Sequence, residues 1–162
     1  MLRRRNFLLF FMALATPAEA QRQTLGIFGA WGAFRTPDRC YAIAEPEGEA
    51  RPGDGPAYAS VGFWPRRGVR GQAYFRLRQA KRPGSAVLLR IDDRTFQLRG
   101  GGVHAWASDP AGDSEIVAAM RRGIEMNVMT RSERGAQLRD VYRLRGGATA
   151  IDAAAIACAR RP

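Results

Sequence analysis

The chain has 162 residues, with 26 basic and 15 acidic side chains and a formal net charge of +11 at pH 7. Such a length suits one folded domain, which buries roughly two thirds of the surface of its unfolded chain. Every basic side chain except Lys81 is arginine. Genomic base composition alone can produce that bias, so the charge by itself does not indicate a nucleic-acid-binding protein.

The first 20 residues have the organisation of a cleaved secretory signal peptide. A cationic start at residues 3–5 precedes an apolar core at residues 7–15, and residues 18–20 form an A-x-A cleavage pattern. The apolar core is far shorter than the roughly 20 residues of a membrane-spanning helix, so no transmembrane anchor is expected. Residues 4–8 also fit part of a twin-arginine signal, which leaves the export route open. Cleavage after Ala20 would leave one domain, residues 21–162, in the periplasm or at the cell surface.

The two cysteines, Cys40 and Cys158, are predicted to form one disulfide. An exported protein folds in an oxidising compartment, where such bonds persist. The bond would close a loop over most of the chain and stabilise the fold by about 4 to 5 kcal/mol in the chain-entropy model. The alternative is a pair of separate buried thiols.

Alternation of apolar and polar residues predicts short antiparallel strands through the first two thirds of the chain. The glycine-rich apolar segment 26–34 is expected to be one strand. The next strand, 39–44, places Cys40 and Ala42 on one face. Further strands are predicted at 57–64, 72–78, 87–91, around Phe96 and Leu98, and at 103–107, with the glycine triplet 100–102 separating the last two. Residues 45–56, rich in proline, glycine and acids, are predicted to form an exposed loop.

A helix is predicted to begin at Asp109-Pro110, with Asp109 or Asp113 as its cap. Gly123 is expected to end it in the left-handed conformation. In the strand that follows, we expect Ile124 to point inward together with Met126 and Val128, and Asn127 to point outward.

Two elements complete the predicted chain. A strand at 137–144 carries arginines opposite its apolar face, one of which could pair with Glu125. An alanine-rich helix, 148–160, places Cys158 on its buried side. About eight or nine short strands with two late helices predict a mainly β protein, an antiparallel β-sandwich with helical additions in its C-terminal half.

Several of these segments resemble the invasion-associated locus B family of exported bacterial proteins. The similarity begins at Trp31 and Cys40. It is most specific where residues 120–123 lead into 124–129, and where residues 142–146 precede the alanine-rich helix. It covers most of the chain after residue 20. The resemblance implies an immunoglobulin-like β-sandwich of the periplasm or cell surface, in a family most of whose members have no established biochemical activity.

No catalytic residue, metal site or cofactor is predicted. His104 is the single histidine, and it lies in a predicted strand without a recognisable nucleophile. Asp92 and Asp93 are neighbours in a turn, so their side chains diverge. One histidine and two paired cysteines leave only carboxylates for a metal. The alternative is a periplasmic hydrolase with an unrecognised site, for which His104, Asp92 and Asp93 are the candidates.

The candidate binding surface is a basic segment with aromatic residues among its arginines. Such a surface suits an anionic component of the envelope or an envelope protein, whereas an exported protein would rarely meet nucleic acid. The alternative is a solvated arginine-rich face without a ligand. The predicted surface comprises Trp64, Arg66, Arg67, Arg70, Tyr74, Arg76, Arg78, Lys81 and Arg82.

Overall fold

The computed structural model describes residues 22–159, which form ten β-strands and two α-helices. The strands are β1 (Gln23–Phe28), β2 (Trp31–Arg35), β3 (Cys40–Ala44), β4 (Tyr58–Trp64), β5 (Val69–Arg76), β6 (Val87–Ile91), β7 (Arg94–Gly101), β8 (His104–Trp106), β9 (Glu125–Arg131) and β10 (Gln137–Arg143). The helices are α1 (Pro110–Arg122) and α2 (Gly147–Ala159). The predicted signal peptide lies outside the described residues.

The strands form one antiparallel sheet in the order β1-β2-β3-β4-β5-β8-β7-β6-β9-β10. Strand β7 joins its two halves, because residues 94–98 pair with β6 and residues 99–101 pair with β8. Strands β2 and β10 lie near opposite ends of this order but come together, since Trp31 Nε1 donates a hydrogen bond of 2.8 Å to the carbonyl oxygen of Arg143. The predicted mainly β, antiparallel class with two C-terminal helices is confirmed, and the two layers of the sandwich are one continuous sheet.

The core lies between the two halves of the sheet and the helices. Its largest buried side chains include Trp31, Phe75, Leu89, Met126 and Tyr142. Helix α2 packs against β2, β3 and β4, and α1 packs against β5. Burial of this apolar surface is the main term that stabilises the fold.

The predicted disulfide between Cys40 and Cys158 is present, with Cα atoms 5.8 Å apart. Cys40 lies on the buried face of β3, and Cys158 lies on the buried face of α2 together with Ile151 and Ala154. The bond therefore fastens the last helix to a strand near the start of the domain.

The prediction of one strand over residues 26–34 is wrong, because the segment is a hairpin. Gly29 and Ala30 form a two-residue turn between β1 and β2, and Gly29 has φ +61°. Two-residue hairpin loops require positive φ, which glycine adopts without steric cost. The residues on both sides of the turn are apolar, so the alternation of apolar and polar residues did not indicate where the turn lies.

Two glycine predictions also differ from the structure. Gly123 has φ −77° and is not left-handed; a Cβ there would lie 2.8 Å from both Ile91 Cγ2 and Leu144 Cδ1. This glycine is required by close packing at the end of α1. In the triplet, Gly100 and Gly101 belong to β7 and pair with β8, so only Gly102 occupies the turn.

The facing of residues around β9 is partly as predicted. Met126 and Val128 are buried, whereas Ile124 precedes the strand and is 74% exposed, so its inward prediction is wrong. Asn127 alternates away from Met126 but is not open to solvent, since it is buried between Arg90 of β6 and Val141 of β10. The predicted pairing of Glu125 is confirmed, with Arg143 3.9 Å away.

Helix α1 begins as predicted, with one of the two proposed caps. The Asp109 carboxylate accepts a hydrogen bond of 2.8 Å from the backbone N–H of Gly112. The Asp113 carboxylate instead accepts one of 2.8 Å from the backbone N–H of Ala73 in β5. Burial raises the pKa of the Asp113 carboxyl group. Asp109 therefore caps α1, and Asp113 fastens it to the sheet.

Candidate binding surface

The nine residues of the predicted binding surface are not all equally available to a ligand. Trp64 ends β4, Arg66 and Arg67 lie in the short 3-10 turn Pro65–Arg67, and Arg70 lies at the start of β5. These four residues lie together, and the three arginines are exposed. The other five residues follow further along the chain, and several of them have structural roles.

Arg78 and Lys81 are engaged inside the protein. The Arg78 guanidinium pairs with the carboxylates of Asp140 and Asp54, and its side chain is 14% exposed. Burial raises the pKa of the Asp140 carboxyl group, and the Arg78 charge opposes that shift. Lys81 is 9% exposed, and its Nζ donates to the carbonyl oxygen of Arg82. These two cations thus have internal partners, whereas Arg82 is exposed.

Tyr74 and Arg76 lie on the outer face of β5. Tyr74 Oη and His104 Nδ1 are hydrogen-bonded at 2.6 Å, and the Tyr74 ring lies 5.8 Å from that of Tyr58. Burial raises the pKa of the Tyr74 hydroxyl group. Arg76 Nε donates a 2.9 Å hydrogen bond to the carbonyl oxygen of Pro56. The two side chains thus belong to a polar and aromatic cluster at the middle of the sheet.

Strand register brings two further arginines to the end of the sheet that carries Arg66, Arg67 and Arg70. Arg35 of β2 pairs with Cys40 of β3, Cys40 pairs with Phe63 of β4, and Phe63 pairs with Arg70. Arg39 immediately precedes β3. We define the basic end as Arg35, Arg39, Arg66, Arg67 and Arg70.

The acid in the β2–β3 turn only partly offsets this charge. The hydroxyl group of Thr36 donates a hydrogen bond to the Asp38 carboxylate, and this bond lowers the pKa of the Asp38 carboxyl group, with smaller contributions from Arg39 and Arg67. Asp38 is therefore ionised at neutral pH. One carboxylate beside five guanidinium groups leaves the basic end strongly positive.

Aromatic rings on the outer face of β2, β3 and β4 adjoin the basic end. A Cβ on Gly32 would lie 2.6 Å from the Phe34 ring, and one on Gly62 would overlap the Trp64 ring. Each ring therefore lies over the glycine two residues earlier, which shares its face of the sheet. Tyr41 belongs to β3, which lies between β2 and β4, and its ring centroid is 5.6 Å from that of Phe34.

Two arginines stack on these rings. The Arg22 guanidinium lies 4.6 Å from the Phe34 ring centroid, and that of Arg39 lies 4.9 Å from the Tyr41 centroid. Within residues 22–159, neither guanidinium forms an ion pair with a carboxylate. Stacking fixes the plane of a guanidinium while leaving its N–H edge able to bind an anion.

A groove of about 650 Å³ continues this face toward the opposite end of the strands. Its floor includes Ile27, Gly32, Phe34, Ile43 and Tyr58, and the loop at 45–57 forms one wall. The sequence predicted that this loop is exposed. It did not indicate that the loop borders a groove, because that depends on the contacts of the loop with distant strands.

The loop is held at two points. Near its start, Glu47 N donates 2.7 Å to the carbonyl oxygen of Val141, and the Glu47 carboxylate pairs with Arg143 at 2.8 Å. Near its end, Asp54 pairs with Arg78 and accepts a 2.7 Å hydrogen bond from Gln79. The hydrogen bonds to Gln79 and to the Arg51 backbone N–H lower the pKa of the Asp54 carboxyl group. The groove is therefore formed before any ligand arrives.

A solved structure shares this arrangement of strands and helices. Invasion associated protein B from Bartonella henselae aligns with a TM-score of 0.58, covering 86% of this chain and 99% of that chain at 16% sequence identity. The two proteins have the same fold. No protein-family model and no curated protein sequence matches this chain. The family resemblance noted in the sequence is thus supported at the level of the fold.

The residues considered for a hydrolase lie far apart. His104 pairs with Gly101 at one end of β7, and Asp93 precedes Arg94 at the other, so about 23 Å of strand separates them. The Asp92 carboxylate accepts hydrogen bonds of 3.1 to 3.2 Å from the backbone N–H groups of Ile124 and Glu125. Asp92 therefore fastens the β6–β7 turn to the start of β9.

Two properties of the described chain bear on metal binding and membrane insertion. Residues 22–159 contain no group of three or more histidine, cysteine, aspartate or glutamate side chains arranged to hold a metal ion. In the same residues, neither helix has the length and apolar character needed to cross a bilayer.

Proposed function

We propose that this chain is an exported, non-catalytic protein that binds an anionic component of the cell envelope through its basic end. The observation that carries the proposal is the clustering of Arg35, Arg39, Arg66, Arg67 and Arg70 by strand register. A cluster of cations on one side of a protein attracts polyanions and accelerates their association.

A contrast with the other arginines supports this role. Arg94, Arg121 and Arg143 form ion pairs with Glu115, Asp152 and Glu47. Among the described residues, no arginine of the basic end has such an ion pair. Their charge is therefore available to an external anion.

Export is supported by the predicted signal peptide and by the disulfide between Cys40 and Cys158. The structural neighbour bears the name of an invasion-associated protein. An exported protein would meet lipopolysaccharide, anionic phospholipid headgroups and other envelope polymers, which are the anions that the basic end suits.

Sedimentation with vesicles of phosphatidylglycerol and phosphatidylcholine tests the proposal. We expect the purified protein to bind at low ionic strength and to be released by salt. Replacing Arg66, Arg67 and Arg70 with glutamine should weaken binding about a hundredfold, since each arginine near an anionic surface contributes about 1 kcal/mol.

A matched variant with Arg122, Arg134 and Arg139 replaced by glutamine controls for net charge, because these three are also exposed. It should bind nearly as well as the unmodified protein. Equal weakening of both triple variants would show that binding depends only on net charge. Absence of binding at low salt would refute the proposal.

A further inference from the structure

The groove presents a contiguous apolar surface to solvent. Ile27 is 66% exposed and stands opposite Gly32, beside the half-buried ring of Phe34, and Ile43 pairs with Gly32 from its other side. A single exposed isoleucine is ordinary, but an apolar groove is typical of a ligand site. Its volume, about 650 Å³, lies within the range of about 300 to 1,000 Å³ found for small-molecule sites.

The groove has opposite charges at its two ends. At the Phe34 end, Arg22 stacks on the Phe34 ring, and Arg39 stacks on the adjacent Tyr41 ring. At the other end lie Glu45 and Asp54, the second of which is paired with Arg78, itself a lining residue. An anionic group is therefore favoured at the Phe34 end, where the cations have no carboxylate partner among the described residues.

The groove also extends along the direction of the strands. Phe34 and Ala30 both line the groove and are four residues apart, which corresponds to a length of about 13 Å along an extended strand. The loop at 45–57, which is held at Glu47 and Asp54, forms one wall of it. A preformed groove of this shape fits an extended apolar chain without the cost of ordering a loop on binding.

We propose that this groove binds a single-chain anionic amphiphile, with its acyl chain on Ile27, Ile43 and Tyr58 and its anionic head on Arg22 and Arg39. The charge at the Phe34 end selects the anion and sets the direction in which the chain lies. The inference deepens the proposed function and rests on it, because the envelope is the source of such a lipid.

Isothermal titration calorimetry with dodecanoate, below the concentration at which it forms micelles, tests this site. We expect saturable binding, and weaker binding of dodecyltrimethylammonium, which has a chain of the same length and the opposite charge. Ile27→Glu should weaken dodecanoate binding about tenfold or more, because it places a carboxylate in the apolar floor. Arg22→Gln should weaken it about tenfold through loss of a charge-assisted contact.

Ile156→Glu is the matched control, since Ile156 is an exposed isoleucine of α2 that does not line the groove. It should bind dodecanoate as the unmodified protein does. Equal weakening by Ile27→Glu and Ile156→Glu, preference for the cationic amphiphile, or absence of saturable binding would overturn the proposal.

The vesicle assay separates this inference from the proposed function. Ile27→Glu should keep its salt-sensitive vesicle binding, and the triple variant of Arg66, Arg67 and Arg70 should keep its dodecanoate binding. Vesicle binding without dodecanoate binding would refute the groove proposal alone. Dodecanoate binding without vesicle binding would refute the role of the basic end alone.

Discussion

Replacing both Cys40 and Cys158 with alanine should cost a large part of the stability of this protein. The disulfide links residues separated by 118 positions. For a loop of that length, the chain-entropy model gives about 5 kcal/mol at 25 °C, since an uncrosslinked unfolded chain has far more conformations. Typical domains have a free energy of unfolding of about 5 to 15 kcal/mol, so this loss amounts to about a third of the stability or more.

The packing of the two cysteines adds to this loss. Cys40 is fully buried and Cys158 is 4% exposed. Removing the sulfur atoms leaves unfilled space between α2 and β3, and such cavities are themselves destabilising. The helix keeps its contacts through Ile151 and Ala154, so we expect the variant to retain a native fold at low temperature.

Urea unfolding followed by circular dichroism provides the measurement. The double variant should have a lower midpoint than the oxidised protein and a larger m-value, because its unfolded chain exposes more surface. Reduced protein of unchanged sequence is the control; it lacks the cross-link but keeps both sulfur atoms, so its midpoint should lie between those of the variant and the oxidised protein. If the double variant and the oxidised protein have equal midpoints and m-values, the loop-closure reasoning is refuted.

Two further predictions concern α1. Gly123→Ala should destabilise the protein by about 1 to 3 kcal/mol, since the added methyl group would meet Ile91 and Leu144. Gly112→Ala is the matched variant, because a methyl group there would meet only Ala107 Cβ at 3.5 Å and the Asp109 carboxylate at 3.6 Å. It should stabilise the protein by about 0.5 to 1 kcal/mol. Urea midpoints that shift in the same direction for both would contradict this account. Asp113→Asn keeps an acceptor for Ala73 N–H but removes a carboxyl group whose pKa is raised above 3.8 by burial. The ionised carboxylate destabilises the fold above its raised pKa, and this cost disappears as the pH falls through that value toward 3.8. The gain in the free energy of unfolding from Asp113→Asn should therefore be greater at pH 7 than at about pH 3. If the two proteins differ in stability by the same amount at both pH values, the burial argument is refuted.

The alternation of apolar and polar residues predicted strands correctly where one face of the strand is polar. In β3 and β5 every second residue is buried, as the pattern predicts. The same pattern gave a wrong prediction over residues 26–34, because apolar residues continue through the turn there and do not alternate with polar ones. Gly123 shows a second limit, because a glycine at a helix end suits either a left-handed cap or close packing. Only the positions of Ile91 and Leu144, which are distant in sequence, decide between them.

The candidate site was predictable only where its residues are contiguous in the chain. Trp64, Arg66, Arg67 and Arg70 could be found in one segment. Arg35 and Arg39 join them through the pairing of β2, β3 and β4, which local composition does not specify. The groove could not be predicted at all, since it depends on how Glu47 and Asp54 attach the loop to β10 and to the end of β5.

A repeated local pattern links the sheet to both proposed sites. In Gly32-Ala33-Phe34 and Gly62-Phe63-Trp64, the glycine and the ring share the outer face, so the ring folds down over the glycine. This leaves each ring flat and able to support an arginine, as Arg22 and Arg39 show. Because Arg39 belongs to the basic end and Arg22 lines the groove, a membrane surface held by the basic end would lie beside the mouth of the groove. The two proposals therefore predict that contact with an anionic membrane and capture of a single-chain lipid occur next to each other, at the end of the sheet that carries Arg39.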